Sequence, residues 1–170
     1  DLKQSKKVDE DDLFELFHDL GELARSFKVE RSHDSVLFYL KKRCELDGLN
    51  TDFAYEVAKY YKDYAKDLDE ALEWYDKCVE LQKSVMSADH PALARSYNDI
   101  GSIYFEKGNY DEALAWYDKA FNIYDKVLDP RHIDFMSLHT DMGEAFFAKG
   151  NYDKALEAKE NKMSDEEIEA

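Results

Sequence analysis

The sequence predicts an all-α fold, a right-handed α-solenoid of about four antiparallel helix pairs. Three observations predict it. A block of residues recurs every 42 positions, apolar side chains fall at helical spacings inside each block, and only two prolines and six glycines occur in 170 residues. With so few breakers, long stretches can stay helical. Apolar residues make up 44% of the chain, which marks a folded domain rather than a disordered tail.

The repeat is legible residue by residue. Lys107-Gly108-Asn109-Tyr110-Asp111-Glu112-Ala113-Leu114 returns as Lys149-Gly150-Asn151-Tyr152-Asp153-Lys154-Ala155-Leu156, and 149 − 107 is 42. An earlier copy runs from Lys66 to Leu72, and Trp74-Tyr75-Asp76-Lys77 matches Trp116-Tyr117-Asp118-Lys119 at the same offset. A second block precedes each copy: Tyr97 to Tyr104 pairs with His139 to Phe146 at 42, and with Ala54 to Tyr61 at 43. One extra residue in the turn before Leu68 is expected to account for that difference. A fainter copy begins at Phe17.

Taken in order, the elements are a loose N-terminus over 1–9, then helices over 10–27, 33–47, 51–65, 68–87, 91–107, 110–128, 132–149 and 152–163. They pair as 10–47, 51–87, 91–128 and 132–163, without a linker between domains, and an acidic tail follows over 164–170. Tyr97, Ile100, Gly101 and Tyr104 form one helical stripe, and Leu114, Tyr117 and Phe121 another. Gly108, between them, supplies the left-handed residue that ends the first helix. Gly101 lies inside a helix, where glycine costs about 1 kcal/mol relative to alanine. Close approach of the partner helix explains it, with Ala113 and Ala120 offering the small surface opposite. His90 and His132 recur in the junctions and are read as helix starters. Tyr104 and Phe146 are expected in the core, as are Cys78 and Cys44. In the last pair Lys159 and Lys162 take the slots of Tyr117 and Ala120, so the core face stops there.

The pattern Tyr97-x-x-Ile100-Gly101-x-x-Tyr104, continued by Ala113-x-x-x-Tyr117-x-x-Ala120, resembles the tetratricopeptide repeat signature. The usual unit has about 34 residues. The eight or so extra residues here follow Ala120 and lengthen the paired helices by roughly 12 Å in total. Long units with junctions such as Asp89-His90-Pro91 and Pro130-Arg131-His132 resemble the kinesin light chain class. The resemblance implies a concave groove lined by the first helix of each pair, with ligand contacts at fixed slots. In register, the second pair offers Asp52, Tyr55, Lys59, Lys62 and Asp63. The third offers Arg95, Asn98, Ser102, Phe105 and Glu106. The fourth offers Ser137, Thr140, Glu144, Phe147 and Ala148, and the faint first pair Glu15, His18, Glu22 and Arg25. Clamping of a C-terminal carboxylate is not expected, because basic and acidic slots are mixed.

Charge bounds the partners. Lysine plus arginine is 23 and aspartate plus glutamate 39, a net charge of −16. Such a field repels nucleic acid and favours a basic protein segment. Asn98 can donate and accept towards a peptide backbone, Phe105 and Phe147 can form apolar shelves, and Glu106, Glu144 and Asp63 favour lysine or arginine. The expected function is therefore a protein-interaction module, a scaffold or adaptor, monomeric or weakly homo-oligomeric. The alternatives are a regulatory or targeting segment of a larger protein, or a self-associating repeat. No enzyme, cofactor or metal is expected: the histidines lack partners at ligand spacing and no phosphate-cradling loop occurs. Without an apolar run of about 20 residues no membrane insertion is expected. Two cysteines make no disulfide framework, and cytoplasmic location is the expectation.

Overall fold

The computed structural model describes residues 33–151 and 154–158, and every described regular element is helical. The expected N-terminal segment, the helix at 10–27, slots Glu15, His18, Glu22 and Arg25, residues Lys159 and Lys162, and the tail lie outside the described residues. The chain divides into two compact units, Asp1–Trp74 and Tyr75–Ala170.

The first unit holds α1 (His33–Leu46), α2 (Thr51–Tyr60), a π-helical turn (Tyr61–Ala65) and the start of α3 (Leu68–Val85). Asn50 caps α2, its side chain accepting the N–H of Asp52 at 3.1 Å. Helix α1 packs on α2. Val36 and Leu40 are buried on the former, and Phe53, Ala54, Val57 and Ala58 on the latter. Arg43 is only 3% exposed. Its guanidinium lies 4.1 Å from the Phe53 ring centroid and donates to Glu56 at 2.9 Å, the compensation that a buried charge requires.

The extra residue of this repeat does not sit in the turn, as expected from sequence. Helix α2 absorbs it. Tyr61–Ala65 forms a π-turn, in which each N–H reaches one residue further back and so accommodates one residue without breaking the helix. Helix α2 therefore ends at Tyr60 rather than running as an α-helix to 65. Lys66 closes the π-turn at φ 57, in the left-handed region, where the other two pairs place Gly108 at φ 78 and Gly150 at φ 80.

The second unit contains the rest of α3, then α4 (Pro91–Glu106), α5 (Tyr110–Val127), α6 (Ile133–Ala148) and helical residues 154–158. Helix α5 packs on α4 and on α6, and α4 also touches α6. The two junction histidines start their helices as expected. His90 Nδ1 accepts the N–H of Ala92 at 3.2 Å, and His132 Nδ1 that of Asp134 at 3.3 Å. The first helices end in the same way. Gly108 donates to the Phe105 carbonyl at 2.9 Å and Asn109 to that of Tyr104 at 2.9 Å, and Gly150 and Asn151 repeat this with Phe147 and Phe146. These paired bonds need the left-handed glycine.

Gly101 marks a close approach, but its neighbour is larger than expected. A Cβ there would meet Tyr117 ring carbons at 2.5 and 2.6 Å and the Ala113 carbonyl at 3.2 Å. The phenol ring, not Ala120, lies over Gly101. The core around it comprises Leu93, Ala94, Ile100 and Ile103 of α4 with Ala113, Tyr117, Ala120 and Tyr124 of α5. Cys78 is buried against Ser96, Sγ to Oγ 3.8 Å. Cys44 is half-buried, and burial pushes its thiol up to about 11. Tyr104 and Phe146, expected in the core, are only half-buried. An ion pair joins Lys126 of α5 to Asp89 of the α3–α4 junction at 3.0 Å, and another joins Lys149 to Asp111. Phe121, Phe135 and His139 nest their rings, with Phe135 and His139 centroids 4.9 Å apart.

Candidate functional site

Helices α4 and α6 are the first helices of successive pairs, so a residue on one has its counterpart on the other. Two side-chain bridges cross between them. Arg95 donates to Asp134 at 3.3 Å, and Asn98 Nδ2 donates to Asp141 at 3.1 Å. The predicted slots Arg95 and Asn98 therefore lie on the face that α6 also lines.

That face is rich in acceptors. Burial pushes the Tyr117 phenol well above the usual tyrosine range, and the carboxylates of Asp141, Glu144, Asp99 and Glu106 push it further in the same direction. Four carboxylates from two helices thus act on one hydroxyl. Tyr124, about two turns further along α5, is pushed up to about 12, first by burial and then by Asp134, while Arg95 pulls it back and bonds its hydroxyl. Asn98 Oδ1 is buried and has no hydrogen-bond partner. A buried acceptor left in this state costs on the order of 1–3 kcal/mol.

The remaining predicted slots divide by exposure and by partner. Glu106, Glu144, Ser137 and Ala148 are exposed. Ser102 and Thr140 are half-buried and spend their hydroxyl protons on their own helices, Ser102 on the Asp99 carbonyl at 2.9 Å and Thr140 on that of Met136 at 3.1 Å. Phe105 is half-buried and leans on Tyr110, ring centroids 5.5 Å apart. Phe147, its counterpart 42 positions on, is 63% exposed. The two phenylalanines therefore occupy equivalent positions without equivalent surroundings. In the first unit Asp52, Lys59 and Asp63 are exposed, Tyr55 and Lys62 half-buried.

Sequence reading passed over Asp99, Asp134 and Asp141. Asp99 and Asp141 are 42 positions apart inside the matched blocks, so the signal was the repeat itself. The two bridges also needed that register, since Asn98 pairs with Asp141 at a separation of 43 residues and Arg95 with Asp134 at 39. Among the described residues, no group of three or more histidine, cysteine, aspartate or glutamate side chains is placed to hold a metal ion. No described helix is long and apolar enough to cross a membrane.

Comparison with known proteins agrees with the helix-pair fold. A tetratricopeptide repeat family model matches residues 54–126 and 97–160. No curated protein matches the sequence. Among solved structures, BtubC (BKLC) from P. vanneervenii superposes with a TM-score of 0.78 at 17% identity, over 97% of this chain and 67% of that one. Nearly identical TPR-like repeats of Podosopora anserina, described as a kinesin light chain, give 0.72 at 19% identity, over 89% and 75%. MamA gives 0.65 at 19% identity, over 98% and 94%. The solved structures share the helix-pair fold, and the family matches cover more than half of the residues, so the chain belongs to the tetratricopeptide repeat family.

Proposed function

We propose that the chain holds an extended segment of a partner protein against α4 and α6, the first helices of two successive pairs, and that the segment is basic. Tetratricopeptide repeats are in general protein-interaction modules, which supplies the class of function. The segment's charge is inferred from the face shared by α4 and α6. Asp99, Glu106, Asp141 and Glu144 act there on a single phenol, and the Asn98 carbonyl oxygen has no donor of its own. On this surface Arg95, Asn98, Ser102 and Thr140 direct their donors at the protein's own acceptors, and carboxylates outnumber cations. A lysine or arginine, or the N–H of an extended backbone, would supply what is missing.

Arg95 contributes differently. Its charge is spent on Asp134, so it holds α4 to α6 more than it repels a cation. Phe147 and half-buried Phe105 would flank the polar centre with apolar surface.

Calorimetric titration with a synthetic peptide of alternating arginine and serine tests the reading. Binding is expected to weaken about tenfold or more on raising salt from low to near-physiological strength, because attraction between exposed charges is screened. Glu144→Lys is expected to weaken it at low salt, while Asp118→Lys, a substitution on α5, leaves it within about twofold. Equal losses from the two variants would show attraction to net charge alone and would end the assignment to this face.

A further inference from the structure

Helices α4 and α6 begin with the same cap, but the residue that is capped differs. His90 Nδ1 accepts the N–H of Ala92, and 42 positions on His132 Nδ1 accepts that of Asp134. An imidazole nitrogen accepts only while it carries no proton. Helix α2 makes the same contact with a group that does not titrate, the side-chain oxygen of Asn50 on the Asp52 N–H. Protonation therefore removes the acceptor at α4 and α6 and spares the one at α2. At α4, Ala92 offers nothing in exchange. At α6 the capped residue carries a carboxylate, and its Oδ2 lies 3.9 Å from His132 Nδ1. The same oxygen receives Arg95 Nη2 from α4 at 3.3 Å. One carboxylate oxygen thus stands between the arginine that ties α4 to α6 and the nitrogen that caps α6.

We propose that His132 is a proton-operated switch on the Arg95–Asp134 bridge. Neutral, it caps α6 through Nδ1 and leaves the carboxylate to Arg95. Protonated, the same nitrogen turns from acceptor to donor, releases the Asp134 N–H and takes a share of the carboxylate. The bridge weakens, and the face shared by α4 and α6 gains positive charge. Solvent reaches the group, since the side chains of His132 and Arg95 are 44% and 57% exposed. Asp134 of α6 and Asp129 of the α5–α6 junction draw a proton to the ring. Arg131 of that junction and Arg95 of α4 oppose it, but each is already held by one of those two carboxylates. Tyr124 of α5, bonded by Arg95, stays neutral throughout. A basic segment on this face would be released as pH falls; that consequence rests on the reading given above, and the switch itself does not.

The test follows the full chain by NMR between about pH 8 and pH 5, the range in which imidazole gains its charge. The Asp134 amide proton and the Arg95 guanidinium resonances are expected to move with the His132 ring nitrogens at one shared midpoint. His132→Asn keeps a capping oxygen and takes up no proton, so there both sets are expected to hold still. A His132 ring that titrates while the Asp134 amide or the Arg95 guanidinium stays put would overturn the proposal. The same movement in His132→Asn would overturn it too. The arginine–serine peptide supplies a second arm. Its affinity for the parent is expected to fall about threefold or more from the upper to the lower pH, and for His132→Asn by less than about twofold. Equal falls would show that His132 does not govern the face. A parent chain that binds no peptide at either pH would end the basic-partner reading, and the resonances would still decide the switch.

Discussion

Gly101 and Gly143 occupy the same place one repeat apart, yet the same substitution is predicted to have opposite effects on them. An alanine at Gly101 would drive its Cβ to 2.5 Å from the buried Tyr117 ring, which has no room to retreat. Overpacking of this kind costs about 1–3 kcal/mol. At Gly143 the nearest atoms are the Ala158 Cβ at 3.5 Å and the Ala155 carbonyl at 3.6 Å, ordinary contacts. There an alanine should stabilise by roughly 0.5–1 kcal/mol, the helix penalty of glycine being removed. Urea denaturation of the two variants measures both signs. The buried phenols give a second residue-scale prediction. Tyr117 and Tyr124 are both raised in the folded chain, the latter from 10.0 to about 12. Below the unfolded value both states are protonated and this stabilisation is complete. Above it the unfolded chain ionises first, so stability is predicted to fall as pH rises from about 10 towards 12. A pH series of denaturation midpoints that stayed flat through that window would contradict the burial of these hydroxyls. Ser96, Gln82 and Arg43, each almost fully buried, were not legible from sequence. Their polar names point outward, and only the partners Cys78, Ala92, Glu56 and Phe53 explain their burial.

At the scale of the element, helix positions were legible because three signals agree: apolar spacing, capping residues and the 42-residue register. His90, His132, Gly108 and Gly150 all do what their places in the repeat imply. The π-turn was not legible. A one-residue insertion can be taken up by a loop or by a helix, and sequence spacing is the same either way. The backbone cost differs, which makes it testable. Lys66→Gly should raise stability by about 0.5–1 kcal/mol, since a left-handed residue with a Cβ is disfavoured. Gly108→Ala should lower it by about 1 kcal/mol for the same reason. Thermal melts of the two variants decide between them. If Lys66→Gly destabilised the chain, the left-handed closure of the π-turn would be wrong. The candidate site was half legible for a related reason. Register named Arg95 and Asn98, whereas Asp134 and Asp141 emerge only when α6 lies beside α4 and the bridges form.

For the whole molecule, repetition is what turns a modest sequence signal into a legible fold. Each pair leaves apolar surface uncovered on its own, and stacking on the next pair buries it. Within the second unit α6 lies beside α4, so polar residues of the two helices meet on one face. Backbone amide shifts of the full chain, followed by NMR during titration with the arginine–serine peptide, test the central idea most directly. Saturable shifts are predicted at Asn98, Ser102, Thr140, Asp141 and Glu144, with Asp118, Asn122 and Asp125 on α5 unmoved. Shifts concentrated on α5, with those of α4 and α6 still, would contradict it.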